Sequence, residues 1–532
     1  MILLWLIIVP ALGGLLGWLL DHWNRLWSRW LVLVAMLAEL ALTLVAWRIS
    51  PGPMQFTGGG IWFLQLDVPW IPQLGVRFHL AMDGLSFWMV LLTAFLGLIA
   101  LVGSWKDVTE QTGFFHLNLS LLLAGVVGVF LALDLFLFYF FWELMLVPMY
   151  FLIVIWGDEN RRYAGTKFFL FTQLSGLLML VAILALFFIH GRNTGEYTFD
   201  YGKLLHTNLP PGTAMWLLLG FVAAFLVKLP AVPLHSWLPE AYTSSPTAGS
   251  VLLAGLLSKT GAYGLLRFVI PLFPQAASQF ASVAMILGVF GILYGALMAF
   301  AQTDLKRFIA YTSVSHLGFV LLGIFAWNQL ALQGVVAEML CHGLSIGGLF
   351  LLAGMLEERL HTRDLRRMGG LWAVVPRLGA VTMIFALASL GLPGLGNFVG
   401  EFLILLGSFQ ANPGLTAAAT VGLVGAVIYA LWMTQLILHG TINRELTLPD
   451  LKVRELGVLA LLVLALLWIG LYPQPVLNTA GPALEGLRRA AQPVREARSP
   501  EPEIGRKASA GLDPSDLAFG PFSRTSILSL SP

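Results

Sequence analysis

Apolar runs of about 20 residues recur about fourteen times between residues 2 and 472, each long enough for a helix to cross the hydrocarbon of a bilayer. Lipid offers no partner for a backbone N–H or C=O, so a chain built from such runs must satisfy its main chain within helices. Spans are expected near 2–20, 30–49, 83–103, 113–133, 135–156, 168–190, 214–234, 247–268, 277–299, 308–325, 330–356, 373–408, 415–438 and 455–472. The run that holds the twelfth is too long for one straight crossing and contains Leu392-Pro-Gly-Leu-Gly-Asn397, so it reads as one span broken in the middle. A second break falls at Leu229-Pro230, in the seventh. Paired interrupted helices point to a transport site built from inverted repeats. The expected fold is an all-α polytopic membrane protein of about 14 helices, with two inverted repeats that each hold a broken helix.

The organisation that follows is a group of N-terminal transmembrane helices (1–110), a first repeat (111–270), a second repeat (271–440), a C-terminal span (441–475) and a polar tail (476–532). From about Pro482 the tail is rich in Pro, Ser, Arg and Glu, cannot bury a core, and is expected to be disordered. Only 11% of the residues are charged, against about a quarter in a soluble domain, and the net charge of +2 points to no nucleic acid. The first helix lacks the basic start and cleavage site of a signal peptide and is expected to remain a span. A single cysteine, Cys341, excludes an intrachain disulfide or a cysteine-only iron–sulfur cluster. With no dinucleotide or phosphate loop either, no cofactor or metal site is expected in this chain.

Lysine and arginine set the orientation. Of the 30, fifteen fall in loops after odd-numbered spans, among them Lys106, Arg161, Lys306, Arg363 and Arg444. Five fall in loops after even-numbered spans: Arg48, Arg77, Arg192, Lys203 and Arg267. Positive charge stays on the cytoplasmic side, so both termini are expected on the outer, periplasmic face of the cell (inner) membrane.

Four ionisable residues interrupt the apolar runs where a helix facing lipid would hold none: Glu143, Lys228, Lys259 and Glu401. A lysine at the bilayer centre costs about 2.5–3.5 kcal/mol on insertion scales, and such groups mark ion pathways or proton relays. Lys228 has three apolar turns before it and Pro230 just after it. The KLPAVPLHSWLP segment that follows, with Pro230 and His235, reads as irregular backbone lining a polar cavity, the one setting in which such backbone survives at membrane depth. Pro393 is expected to play the same part at the later break. Glu143 precedes Pro148, which frees a carbonyl and loosens the turn beside the carboxylate. Its bland reading is a protonated acid bonded to a neighbouring helix; an intramembrane lysine elsewhere tips the balance toward a pair. Lys259 shares its helix with Ser250, Ala254, Ser258 and Ala262, a stripe of small residues that admits another helix or a file of water. Its bland reading is a lysine tying two helices through a carbonyl.

His316 and His342 fall in consecutive spans. A lone histidine in a helix is more often a structural hydrogen-bonder, but two of them in chain order between Lys259 and Glu401 fit a relay, since imidazole titrates near neutral pH. Glu39 and Glu338 are further intramembrane carboxylates with no role legible in the sequence, and Asp134 is expected at a span boundary.

The segments FYFFWELMLVPMYFLI, VKLPAVPLHSWLPEAYTSSPTAGSVLLAGLLSKTGAYGLLRF and TDLKRFIAYTSVSHLGF resemble the proton-translocating membrane subunits of respiratory complex I. Those subunits are related to the multi-subunit cation/proton antiporters. The resemblance covers nearly all of the chain up to about residue 475 and is closest to the M-type branch, because the L- and N-type sisters usually carry lysine where Glu401 stands. It implies that Glu143 modulates Lys228, the central proton carrier. Lys259, His316 and His342 would form the connecting relay and Glu401 the terminal group. Moving a carboxylate toward or away from a buried lysine changes how tightly the lysine holds its proton, which gives that assignment a physical basis. FMN, iron–sulfur clusters and quinone would belong to partner subunits, and the neighbours in the membrane would be sister antiporter-like subunits. The competing class is a secondary transporter: a subunit of a sodium/proton antiporter or of a membrane-bound hydrogenase.

Overall fold

The computed structural model describes residues 1–49, 56–57, 60–440 and 448–491. Among them, thirteen helices are long and apolar enough to cross a membrane: α1 (Ile2–Leu20), α2 (Arg25–Ile49), α3 (Gly84–Gly103), α4 (Thr112–Leu131), α5 (Leu135–Trp156), α6 (Arg161–Thr194), α7 (Pro211–Lys228), α8 (Thr247–Leu272), α9 (Pro274–Phe300), α10 (Leu305–Ala326), α11 (Gln329–Leu360), α14 (Pro413–Leu438) and α15 (Val453–Leu471). The place of the expected broken span is taken by two shorter helices, α12 (Pro376–Ser389) and α13 (Gly396–Ala411). Between them Gly391 adopts a left-handed φ of 75°, where a side chain would be strained. An antiparallel hairpin, β1 (Leu64–Ile71) with β2 (Val76–Met82), lies between α2 and α3.

The layering follows composition. Protein encloses α8 and α10 along their length and α11 nearly so, whereas α2 and α15 leave most of their surface uncovered. The three innermost helices are the ones that carry Lys259, His316, Glu338 and His342. A charge is tolerated at membrane depth only where protein, not lipid, surrounds it.

One motif occurs twice. The backbone at Asp134, ahead of α5, bridges to Asp200, ahead of α7; that at Asp304, ahead of α10, bridges to Asp364, ahead of α12. All four aspartates also cap a turn, accepting from the amides of Phe136 and Leu137, Lys203, Arg307 and Arg366 in turn. Each bridge therefore spans two helices and ends at the entrance of a broken one. Five membrane-length helices, α5 to α9, separate Asp134 from Asp304. An odd number of crossings puts the two bridges on opposite faces.

Three expectations change. The tail is ordered as far as residue 490: α16 (Gln474–Ala490) buries Val476, Ala480, Ala483, Leu484 and Leu487 along one face. That is the 3.6-residue period of an amphipathic helix, hidden in the sequence by Pro482 and the arginines. It packs on α3 and α11, where Gln329 donates to the Gly481 carbonyl. The remainder of the tail and Arg444 lie outside the described residues. Arg267 is no loop charge: it is fully buried in α8, paired with Asp83 and stacked 4.9 Å over the Trp62 ring. Lys306 is buried too, 2.9 Å from Glu357, in a network where Arg363 joins Asp158 and lies 2.9 Å from Asp304.

Candidate functional site: a buried row of titratable side chains

α7 ends at Lys228 because Pro230 has no amide to offer the next turn. Leu229 N–H closes the last regular turn on Phe225, and the carbonyls left over find other donors: Ala231 N–H reaches Leu226, and the indole of Trp237 donates to Val227 at 2.9 Å. Lys228 is 1% exposed, and its Nζ has no hydrogen-bond acceptor among the described residues. It lies instead over two aromatic faces, 5.2 Å from the centre of Trp142 and 5.5 Å from that of Phe168. Such contacts are worth about 2 kcal/mol when water is excluded.

Glu143 is the neighbour of Trp142 in sequence. The helix of α5 is interrupted at Met145, beside it, as Pro148 leads one to expect. Tyr139 and Gln173 lie within hydrogen-bonding reach of its half-buried carboxyl, whose Oε1 packs against Gly176 of α6. The expected pair is thus separated in this conformation: Glu143 feels the lysine's charge but makes no ion pair with it.

Lys259 is fully buried and fully engaged. Its Nζ donates to His342 Nδ1 at 2.6 Å, to the Ala254 carbonyl at 2.7 Å and to Ser258 Oγ at 3.3 Å. The Ala254 carbonyl lies in a π-helical turn, Leu253–Leu257, within α8. A π turn widens the backbone ladder and presents a carbonyl to a side chain, and such turns are frequent at functional sites.

From His342 the row continues inward. The rings of His342 and His316 lie 5.7 Å apart, centre to centre. His316 Nδ1 is 2.6 Å from Glu401 Oε1, while its Nε2 faces Tyr429 Oη at 3.0 Å and Ser389 Oγ at 3.3 Å. Glu338 lies in the middle, with Oε1 4.0 Å from His316 Nδ1, no solvent exposure, and no hydrogen bond to either oxygen among the described residues. One ligand atom each from His316, Glu338 and Glu401 fit within 4.8 Å of one another, a spacing that could also hold a small cation.

Backbone proximity makes this cluster. A Cβ on Gly400 would stand 2.6 Å from the Glu338 amide nitrogen, and one on Gly407 2.4 Å from that of Ala331. α13 therefore lies main chain to main chain on α11, which carries Glu401 to His316.

The structure brings Lys259, His342, His316 and Glu401 into one row and leaves Lys228 and Glu143 at a separate station. Of the other candidates, Pro230 lines a narrow apolar crevice with Gly291, Val314 and Gly318, not a polar cavity. His235 is buried with its ring 5.1 Å from Tyr294, and Pro393 sits exposed on the surface. Glu338 stands in the sequence as a carboxylate without a role, although its spacing from His342 places both on one helix face. That spacing was the available signal.

Residues 132–429 match the family model described as NADH:quinone oxidoreductase/Mrp antiporter, TM. The chain is 53% identical to NADH-quinone oxidoreductase subunit M of Pseudomonas aeruginosa over 500 residues, covering 92% of this chain and 98% of that one. It is equally similar to the subunit of that name from Escherichia coli strain K12, at 53% over 499 residues, with the same shares. Among solved structures it resembles a chain of respiratory complex I from Thermus thermophilus with bound NADH, at a TM-score of 0.82 and 33% identity, over 93% of this chain and all of that one. A chain of the Mrp complex from Dietzia shares the fold, at a TM-score of 0.80 and 21% identity, over 91% of this chain and 98% of that one.

Proposed function

The chain belongs to the NADH:quinone oxidoreductase/Mrp antiporter membrane family, and from that premise we propose that it is the M-type proton-translocating membrane subunit of an NADH:quinone oxidoreductase. The observation that carries the reading is the continuous buried row Lys259–His342–His316–Glu401, in which two of the three steps are hydrogen bonds of 2.6 Å. Every member can gain or lose a proton, and none contacts lipid.

Lys259 hands a proton to His342 Nδ1 and holds it again when the carboxylates beyond are charged. His342 Nε2 makes no hydrogen bond among the described residues, and the two ring centres lie 5.7 Å apart, so that step needs a ring rotation or a bridging water. His316 then protonates Glu401 Oε1. Lys228, held over aromatic rings, is the station before the row, and Glu143 is the charge that decides how firmly Lys228 keeps its proton. The residues between the stations are Trp237 and Tyr242, whose hydroxyl donates to the Leu253 carbonyl at 3.2 Å. The helices of residues 111–270 and 271–440 form the two repeats, each with an aspartate bridge after its first helix. Redox energy comes from NADH oxidation by quinone in partner subunits, which carry the FMN and iron–sulfur clusters. Both termini face the periplasm.

The test has two parts. The chain is purified with its natural partners and the complex examined for flavin and iron–sulfur absorption; their absence indicates the antiporter alternative. Lys228→Ala, in complexes of equal content, is expected nearly to abolish proton pumping. Normal pumping by that variant would remove Lys228 from the path.

A further inference from the structure

We propose that Glu338 is a working member of the proton path: the buried counter-charge of Lys259 and a carboxylate that shares protons with Glu401 through His316. The inference rests on the relay reading above and extends it to a residue for which neither the sequence nor the resemblance supplies a role.

Three observations support it. Both Glu338 oxygens are sealed from solvent and hydrogen-bonded to nothing among the described residues, a costly arrangement for a merely structural carboxyl. Its spacing from His342 on α11 turns it toward the groups that continue the row, with His316 Nδ1 4.0 Å from Oε1. Finally, Glu338 is the carboxylate whose charge Lys259 feels, as Glu143 is for Lys228. The chain thus holds two lysine–glutamate stations, each with its partners out of direct contact in this conformation.

The groups that face Glu338 are Lys259 from α8, His316 from α10, Glu401 from α13, Tyr429 from α14, and His342 and Cys341 on its own helix. Two carboxyl groups and one imidazole lie within 4.8 Å, close enough for a change of charge on one to be felt by the other two. One proton added on the Lys259 side therefore favours the release of one on the Glu401 side. Glu338 gives the row that reciprocity: it is ionised while Lys259 is charged and takes up the proton as Lys259 gives it away.

Glu338→Gln, Glu338→Asp and Lys259→Ala are compared in the intact complex, in membranes of equal complex content, by NADH-driven proton pumping and its pH profile. Glu338→Gln is expected to lower pumping about ten-fold and to move the profile toward lower pH, because the Lys259 ammonium loses its counter-charge. Glu338→Asp, which keeps the charge, is expected to restore the wild-type profile and most of the rate. If Glu338→Gln matches wild type in rate and profile while Lys259→Ala fails, the inference is overturned and the relay stands. If Lys259→Ala also pumps normally, the relay reading itself fails. If Asp and Gln are equally impaired, the side chain serves packing and the proposal is wrong.

Discussion

Gly400→Ala adds one methyl group and removes no titratable atom, so it separates the geometry of the cluster from its chemistry. The new Cβ would lie 2.6 Å from the Glu338 amide nitrogen and 2.7 Å from its Cα, where ordinary contact needs about 3.4 Å. Both neighbours are main-chain atoms of α11, which cannot rotate away. The helices must part by about 0.8 Å, at a cost of about 1–3 kcal/mol, the usual range for overpacking. If α13 takes up that movement, the 2.6 Å contact between His316 and Glu401 opens to about 3.4 Å, past hydrogen-bond length. A misplacement of about 1 Å at a reacting group can cost up to about a hundred-fold in rate. We expect pumping to fall at least about ten-fold while the complex still assembles, read as proton uptake per NADH oxidised at equal complex content. Gly457→Ala is the control, since a Cβ there meets nothing within 4 Å. Wild-type pumping by assembled Gly400→Ala would show that the contact between α11 and α13 does not set the relay distance.

Other outcomes follow from single groups. Glu401→Ala should impair pumping strongly, and Glu401→Lys should retain more activity than Ala because a titratable group remains beside His316; equal activity of the two would exclude Glu401 as the terminal carrier. Glu143→Gln removes the charge opposite Lys228 and should cost far more activity than Glu143→Asp, so identical pumping by the two would dissolve that pairing. A topology reporter fused after Ala491, beyond α16, should be active only on the periplasmic side; cytoplasmic activity would reverse the orientation.

The fold was legible because lipid leaves a sequence little choice. Fourteen apolar runs, the break at Leu392-Pro-Gly and the stop at Lys228-Leu-Pro230 each have a single physical reading. The candidate site was legible as a set of residues, since an ionisable group in an apolar run declares itself. Its connectivity was not. Which imidazole faces Lys259 depends on helix packing: the close approach of Gly255 in α8 to Gly343 in α11 and the π turn at Ala254 set His342 Nδ1 against Lys259. Glu338 was visible as a carboxylate but not as a partner, because its neighbours come from α8, α10 and α13. α16 was missed for another reason. The polar composition of residues 476–532 as a whole masks an apolar period confined to the first four turns of the helix.

On the path proposed above, the aromatic seat of Lys228 makes that station an insulated one. Trp142 and Phe168 attract the ammonium through their ring faces, yet neither can accept its proton. The attraction acts on the charged form alone, so it offsets part of the cost of burying that charge while offering no atom in contact to take the proton. Discharge then requires an acceptor to be brought in from outside the seat, by a swing of the long lysine side chain or the arrival of water. A proton parked among bases would drift with whichever field was strongest. One parked on benzene and indole faces waits for a gate, and a pump with such a seat can be charged at one moment and emptied at another without leaking in between.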